Sequence, residues 1–246
     1  LFICMLYISN KEVLPSMSKR EKIFSLFDKK FSNKFPFIFL FFCYWINTYT
    51  TLGSKIILHL SSEDNLIENV SFILIVLSAF FILKTIFLKI KKNSSSEKFT
   101  LIFLFLFLII WAFEEISWGQ RIFNFSWDTI SNINFQDEIN LHNLNKFQPH
   151  LHKGYYILGL VLSFLCILKK KNKTSLLPDK SILYFFLLPS LYYLVGEIIF
   201  NFPLEMQGEF VLINKIFIFQ ETNEFLLALG AFLYSFNLYR IKKKNF

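Results

Sequence analysis

The chain has 246 residues, room for one compact domain or a modest bundle of membrane helices. Apolar residues make up 54% of it, 34 residues are phenylalanine and only 18% are charged, against about 25% in an ordinary soluble domain. That composition excludes a water-soluble globular enzyme and a disordered chain; the wealth of Phe, Ile, Lys and Asn also has the look of an AT-rich genome.

Taken from the start, the apolar run at 1–8 is too short to span a bilayer. A signal peptide would carry its charges before such a run, not after it. Met17 followed by Ser-Lys-Arg-Glu-Lys resembles a natural cytoplasmic start, so residues 1–16 are expected to be an over-extended reading frame and 1–34 a cytoplasmic segment. A membrane helix needs about 20 mostly apolar residues to cross roughly 30 Å of hydrocarbon. Six stretches meet or approach that length: 35–53, 66–88, 99–118, 154–168, 181–201 and 223–239. The fourth is short and could begin earlier. Helix is the expected form, because a lone strand in lipid leaves its backbone unsatisfied. The expected fold is therefore all-α, a polytopic bundle of about six transmembrane helices over 35–240 with an outward loop at 121–153. Residues 241–246 form a basic tail. Cys4, Cys43 and Cys166 make no disulfide framework, and no internal repeat, Gly-rich phosphate loop, nucleophile elbow or coiled-coil heptad occurs.

Basic residues orient the spans. Lys11, Lys19, Arg20, Lys22, Lys29, Lys30 and Lys34 precede the first span. Lys84, Lys89, Lys91, Lys92 and Lys98 surround the second loop, and Lys169, Lys170, Lys171, Lys173 and Lys180 the fourth. Arg240, Lys242, Lys243 and Lys244 end the chain. Only Lys55, Arg121, Lys146, Lys153 and Lys215 of the 26 lie in the other loops. The positive-inside rule then puts both termini in the cytoplasm, and the expected location is a bacterial inner membrane. Topology accounts for the net charge of +8, leaving nucleic acid without support as a partner.

Acidic residues go the other way. Thirteen of 18 carboxylates, and His59, His142, His150 and His152, fall in outer loops or outer helix halves. At about 1.5 Å per residue, Glu114 and Glu115 stand roughly 23 Å above the inner boundary. Glu197 and Glu224 reach a similar level on their own helices. A carboxylate there costs on the order of 2–3 kcal/mol unless it pairs or meets water, so a hydrated cavity open to the outside is expected.

The densest segment is Glu114-Glu115-Ile116-Ser117-Trp118-Gly119-Gln120-Arg121. If helix continues through it, Glu114, Ser117, Trp118 and Arg121 share a face. In the loop beyond, Glu138 and His142 would face together on a helix, and His150 and His152 only on an extended piece. His142, His150 and His152 with Glu115 form a set of the right types for zinc, although the spacing matches no zinc signature. Within this reading Glu114, Glu115, Ser117 and His142 are the catalytic candidates. Gln120, Arg121, Glu138, Asn140, Asn143, Glu197 and Glu224 are the substrate-binding candidates.

The 114–121 segment, with Asn134-x-Gln136-x-Glu138-x-Asn140-Leu141-His142-Asn143, resembles a family of uncharacterised bacterial polytopic membrane proteins. That family looks similar in its acidic cluster before the second span, here Glu63, Asp64 and Glu68, and in paired glutamates opening the last span, here Glu221 and Glu224. Its members often carry glycine where Asp137 stands. The resemblance implies no activity. In chemistry alone the residue types are also similar to those of alkaline-ceramidase-like membrane hydrolases, but the sixth span lacks the histidine pair of that group.

Three functions stay open. One is a membrane-embedded hydrolase or transferase acting on a lipid or lipid-linked substrate. The others are a cation-coupled transporter, disfavoured by nearly featureless inner helix halves, and an envelope scaffold packing through Gly159 and Ser163 or Ala228 and Ala231. Substrate, bound metal and oligomeric state are not legible in the sequence.

Overall fold

The computed structural model describes residues 29–60, 66–88, 95–123, 148–169, 176–200 and 219–244, and every element among them is helical. They are α1 (Lys29–Tyr49), α2 (Thr51–Leu60), α3 (Leu66–Leu88), α4 (Ser95–Glu115), α5 (Gln120–Phe123), α6 (Gln148–Leu168), α7 (Leu183–Phe200) and α8 (Gln220–Lys244), with 3-10 turns at Ser117–Gly119 and Lys180–Ile182.

Three stretches are long and apolar enough to cross a membrane: Leu66–Leu88, Ser95–Glu115 and Lys180–Ile198, with mean hydropathies of 2.5, 1.9 and 1.5. Such helices indicate a membrane protein. The apolar part of α6, Lys153–Leu168, is shorter. Although α1 and α8 are 21 and 25 residues long, polar residues dilute them: Ser32, Asn33 and Lys34 in α1, and Glu221, Asn223 and Glu224 in α8.

Buried residues on α3 are Glu68, Ser71, Ile75, Ser78, Ala79, Ile82 and Thr85. Ile73, Val76, Leu77, Phe80 and Phe87 point outward. A water-soluble helix does the reverse. In lipid nothing drives Phe inward, and small residues let backbones approach. The hydroxyls of Ser71, Ser78 and Thr85 donate to the carbonyls of Ile67, Leu74 and Phe81 at 3.0, 2.6 and 2.8 Å, so burial leaves none of these donors unmet.

At the centre stands α8, packed against α3 and α7, with buried residues recurring from Glu221 to Lys242. Its Leu226, Leu227 and Leu233 join Phe35, Cys166, Phe185 and Phe186 in one apolar cluster. Ala228 and Leu238 join Ile75, Ile82, Leu101 and Leu108 in another. Side-chain pairs fix the directions. Phe39 meets Phe225 at 5.2 Å and Tyr44 meets Phe219 at 6.3 Å, so α1 and α8 are antiparallel. Tyr193 reaches Glu224 while Tyr234 reaches the carbonyl of Leu176, so the chain through α7 also opposes α8. Lys242 pairs with Glu97 at 3.3 Å, placing the start of α4 beside the end of α8. Successive long helices alternate, and Lys29 and Lys244 lie at the same end.

Close approaches lock this arrangement. A Cβ on Gly159 would run into Ser190 and come within 2.8 Å of the Phe186 carbonyl oxygen. One on Gly230 would come within 2.8 Å of the Phe186 ring and 2.9 Å of Phe185. Gly159, Ser163 and Ala228 are thus spent on internal packing, since all three are buried. The first expected span breaks at Thr50, short of Gly53. There the Thr50 hydroxyl donates to the Ile46 carbonyl at 3.0 Å and accepts the Gly53 N–H at 2.9 Å.

Candidate functional site

The first turn of α8, Glu221-Thr222-Asn223-Glu224, is buried on every residue. A helix N-terminus favours carboxylates through its dipole and free N–H groups. Glu224 Oε1 accepts the Tyr193 hydroxyl at 2.6 Å and the Gln220 Nε2 amide at 3.2 Å. Tyr193 in turn stacks on Tyr155 of α6, centroids 4.9 Å apart, and meets Tyr192 edge-on at 5.1 Å.

Tyr155 marks the convergence. Its hydroxyl lies within electrostatic reach of Glu224 and Glu221 of α8 and of Glu114 and Glu115 of α4. Acids from α4 and α8 therefore face tyrosines from α6 and α7 at one end of the bundle. Glu115 is 7% exposed and accepts the Trp111 indole N–H at 2.9 Å. Glu114 accepts the indole N–H of Trp118, whose ring stacks on Phe113 at 5.4 Å. Each glutamate of the pair is thus held by a tryptophan four residues away, one before and one after. Burying carboxylates is costly unless donors replace water, and Tyr193, Gln220 and the two indoles supply them.

The continuous helix expected through Arg121 does not form. Ser117, Trp118 and Gly119 have φ of 47°, 53° and 87°, a left-handed run that only glycine adopts without strain. It ends α4 at Glu115 and breaks the shared face of Glu114, Ser117, Trp118 and Arg121. Ser117 is buried in this turn, and Gln120 opens α5, half-buried. Arg121 follows within α5, its side chain outside the described atoms. Glu197 lies one turn beyond Tyr193 on α7 and pairs with Lys153 at 3.9 Å.

His150 and His152 are the third and fifth residues of α6. This piece is helix, not extended chain, and His150 is exposed. Among the described residues no three His, Cys, Asp or Glu side chains are grouped to hold a metal. Glu138, Asn140, His142 and Asn143 lie outside the described residues. Sequence reasoning missed Tyr155, Tyr193, Trp111 and Gln220 as members of the cluster. Their only signal is helical level: in a chain with 34 Phe and 10 Tyr, single aromatics do not stand out.

No protein-family model, curated protein or solved structure matches this chain.

Proposed function

We propose that this chain crosses a bacterial inner membrane six times with both termini in the cytoplasm, and that the carboxylate–tyrosine cluster is the outward-facing site of a membrane-embedded hydrolase or transferase acting on a lipid or lipid-linked substrate. One observation carries the reading: Tyr193, stacked on Tyr155, donates a 2.6 Å hydrogen bond to the buried carboxylate of Glu224. A phenol bonded to a buried carboxylate is a ready path for a proton, the core need of general acid–base catalysis. In this scheme Glu115 and Glu224 exchange protons with substrate, Glu114 and Ser117 complete the wall, and Gln120 and Arg121 hold the head group. Glu138, Asn140, His142 and Asn143 belong to the loop that follows, where His142 serves as proton shuttle. A divalent metal such as zinc, if the protein holds one, would draw on His142 together with Glu115.

The test is a comparison of membrane lipids by mass spectrometry from cells making no protein, wild type, Glu115→Gln or Glu224→Gln. Wild type is expected to deplete one lipid class and build up another, and both variants to lose that change while inserting normally. Identical lipid profiles in all four would end the proposal.

One observation favours a coupled carrier as the second reading. Buried polar groups extend beyond the cluster, through Ser78, Thr85 and Ser235 to the Lys242–Glu97 pair at the far end, where the sequence promised little. Uptake into proteoliposomes driven by a cation gradient distinguishes it.

A further inference from the structure

The outward stripe of α3, with Ile73, Leu77, Phe80 and Phe87 exposed along it, also carries a cation, Lys84, exposed like its neighbours. Lys84 stands four residues before the end of a stretch long and apolar enough to cross a membrane. An ammonium on a lipid-facing stripe is tolerated where its stem reaches the head groups. Its level is therefore the boundary between lipid and water.

The end of α8 lies at the same level. Only 89–94 separate α3 from α4, and Glu97 in the first turn of α4 holds Lys242 at 3.3 Å. Between α3 and α8 runs a continuous aromatic bed: Phe81 meets Phe80 at 5.6 Å, Phe236 at 5.1 Å and Tyr239 at 5.5 Å. Lys84 sits 5.3 Å over Phe80, Arg240 5.7 Å over Phe236 and Lys243 5.8 Å over Tyr239. Among the described residues no carboxylate pairs with any of the three cations. A ring face holds a cation in place without neutralising it, so their charge and N–H donors remain available to an anion.

We infer that Lys84, Arg240 and Lys243, seated on this aromatic bed, form a docking surface for the phosphate groups of anionic phospholipids. Charge complementarity and level select that occupant: unneutralised cations at the head-group boundary attract anionic lipid. The rings hold long side chains at one height, which lowers the entropy lost when a phosphate is bound. This surface requires that α3 span a bilayer but not that either end be cytoplasmic, and it takes nothing from the carboxylate cluster.

The experiment is native mass spectrometry of full-length protein in a neutral detergent, titrated with phosphatidylglycerol or phosphatidylcholine. Wild type is expected to bind phosphatidylglycerol about tenfold more tightly. Lys84→Gln and Arg240→Gln should each weaken that binding about fivefold, the effect of one basic residue at a membrane surface, and leave phosphatidylcholine binding unchanged. Phe236→Leu keeps every charge but removes the ring under Arg240, and should weaken it about threefold. Lys55→Gln removes the same charge at the other end of the bundle and should change nothing. Equal binding of the two lipids by wild type overturns the surface. So does a loss in Lys55→Gln as large as in Arg240→Gln, which would reduce the preference to net charge. A stoichiometric protein retained by wild type, lost in Arg240→Gln and indifferent to both lipids, overturns the lipid assignment. Should Phe236→Leu not fold, Lys84→Gln decides together with Lys84→Arg, which is expected to bind as wild type does.

Discussion

Tyr193 and Glu224 lie 31 positions apart in sequence, and their hydrogen bond joins α7 to α8 at the cluster. Tyr193→Phe keeps the ring stack on Tyr155 but removes the donor, leaving a buried carboxylate short of one bond. The expected loss is about 1–3 kcal/mol, read as a lower Tm in detergent. Glu224→Gln on top of Tyr193→Phe should cost less than the sum of the two, because both remove the same interaction. At this scale the sequence is a partial guide. The level of Glu114, Glu115 and Glu224 follows from counting along helices, but the tyrosine and indole donors that hold them do not. Ser117 shows the limit: nothing in Glu-Glu-Ile-Ser-Trp-Gly announces two non-glycine residues at positive φ, since that strain is held by tertiary packing.

Helix contacts are governed by where backbones can touch. Gly159→Ala places a methyl against Ser190 and the Phe186 carbonyl, so a loss of about 1–3 kcal/mol is expected from overpacking. Gly154 and Gly196 also lie within helices, yet nothing would meet a Cβ at either. Alanine there should stabilise by about 0.4–1 kcal/mol. Thermal unfolding of the three variants side by side checks the contrast, and equal effects would contradict the packing described. The apolar run at 66–88 coincides with α3, whereas the run at 99–118 starts four residues late and overruns the end of α4 at Glu115. The inward face was not readable, because in a lipid-facing helix the hydrophobic pattern no longer says which side is covered. Serines and threonines at 71, 78 and 85 mark that face in α3, a cue of size and polarity instead of hydropathy.

For the molecule as a whole, direction along the bundle is the testable property. With Cys43 and Cys166 buried, Ser95→Cys and Lys153→Cys report opposite ends through exposed positions. A membrane-impermeant thiol reagent applied to intact cells should label Cys introduced at 153 and spare the one at 95. The reverse pattern would invert the proposed topology. Stability at the basic end should depend on Lys242, 1% exposed and 3.3 Å from Glu97. Glu97→Gln strands that ammonium and should cost on the order of 2–3 kcal/mol. Adding Lys242→Met should recover part of the loss in the same unfolding assay. The pairing of Glu97 with Lys242, 145 residues apart, needed coordinates.

The deep burial of α8 carries a consequence for biosynthesis. The ribosome delivers this helix after α1, α3, α4, α6 and α7, yet both apolar clusters close only around it. Until it emerges, the helices made before it surround an unfilled axis, so quality-control proteases should remove nascent chains stopped before Gln220 while sparing those that have gained their keystone.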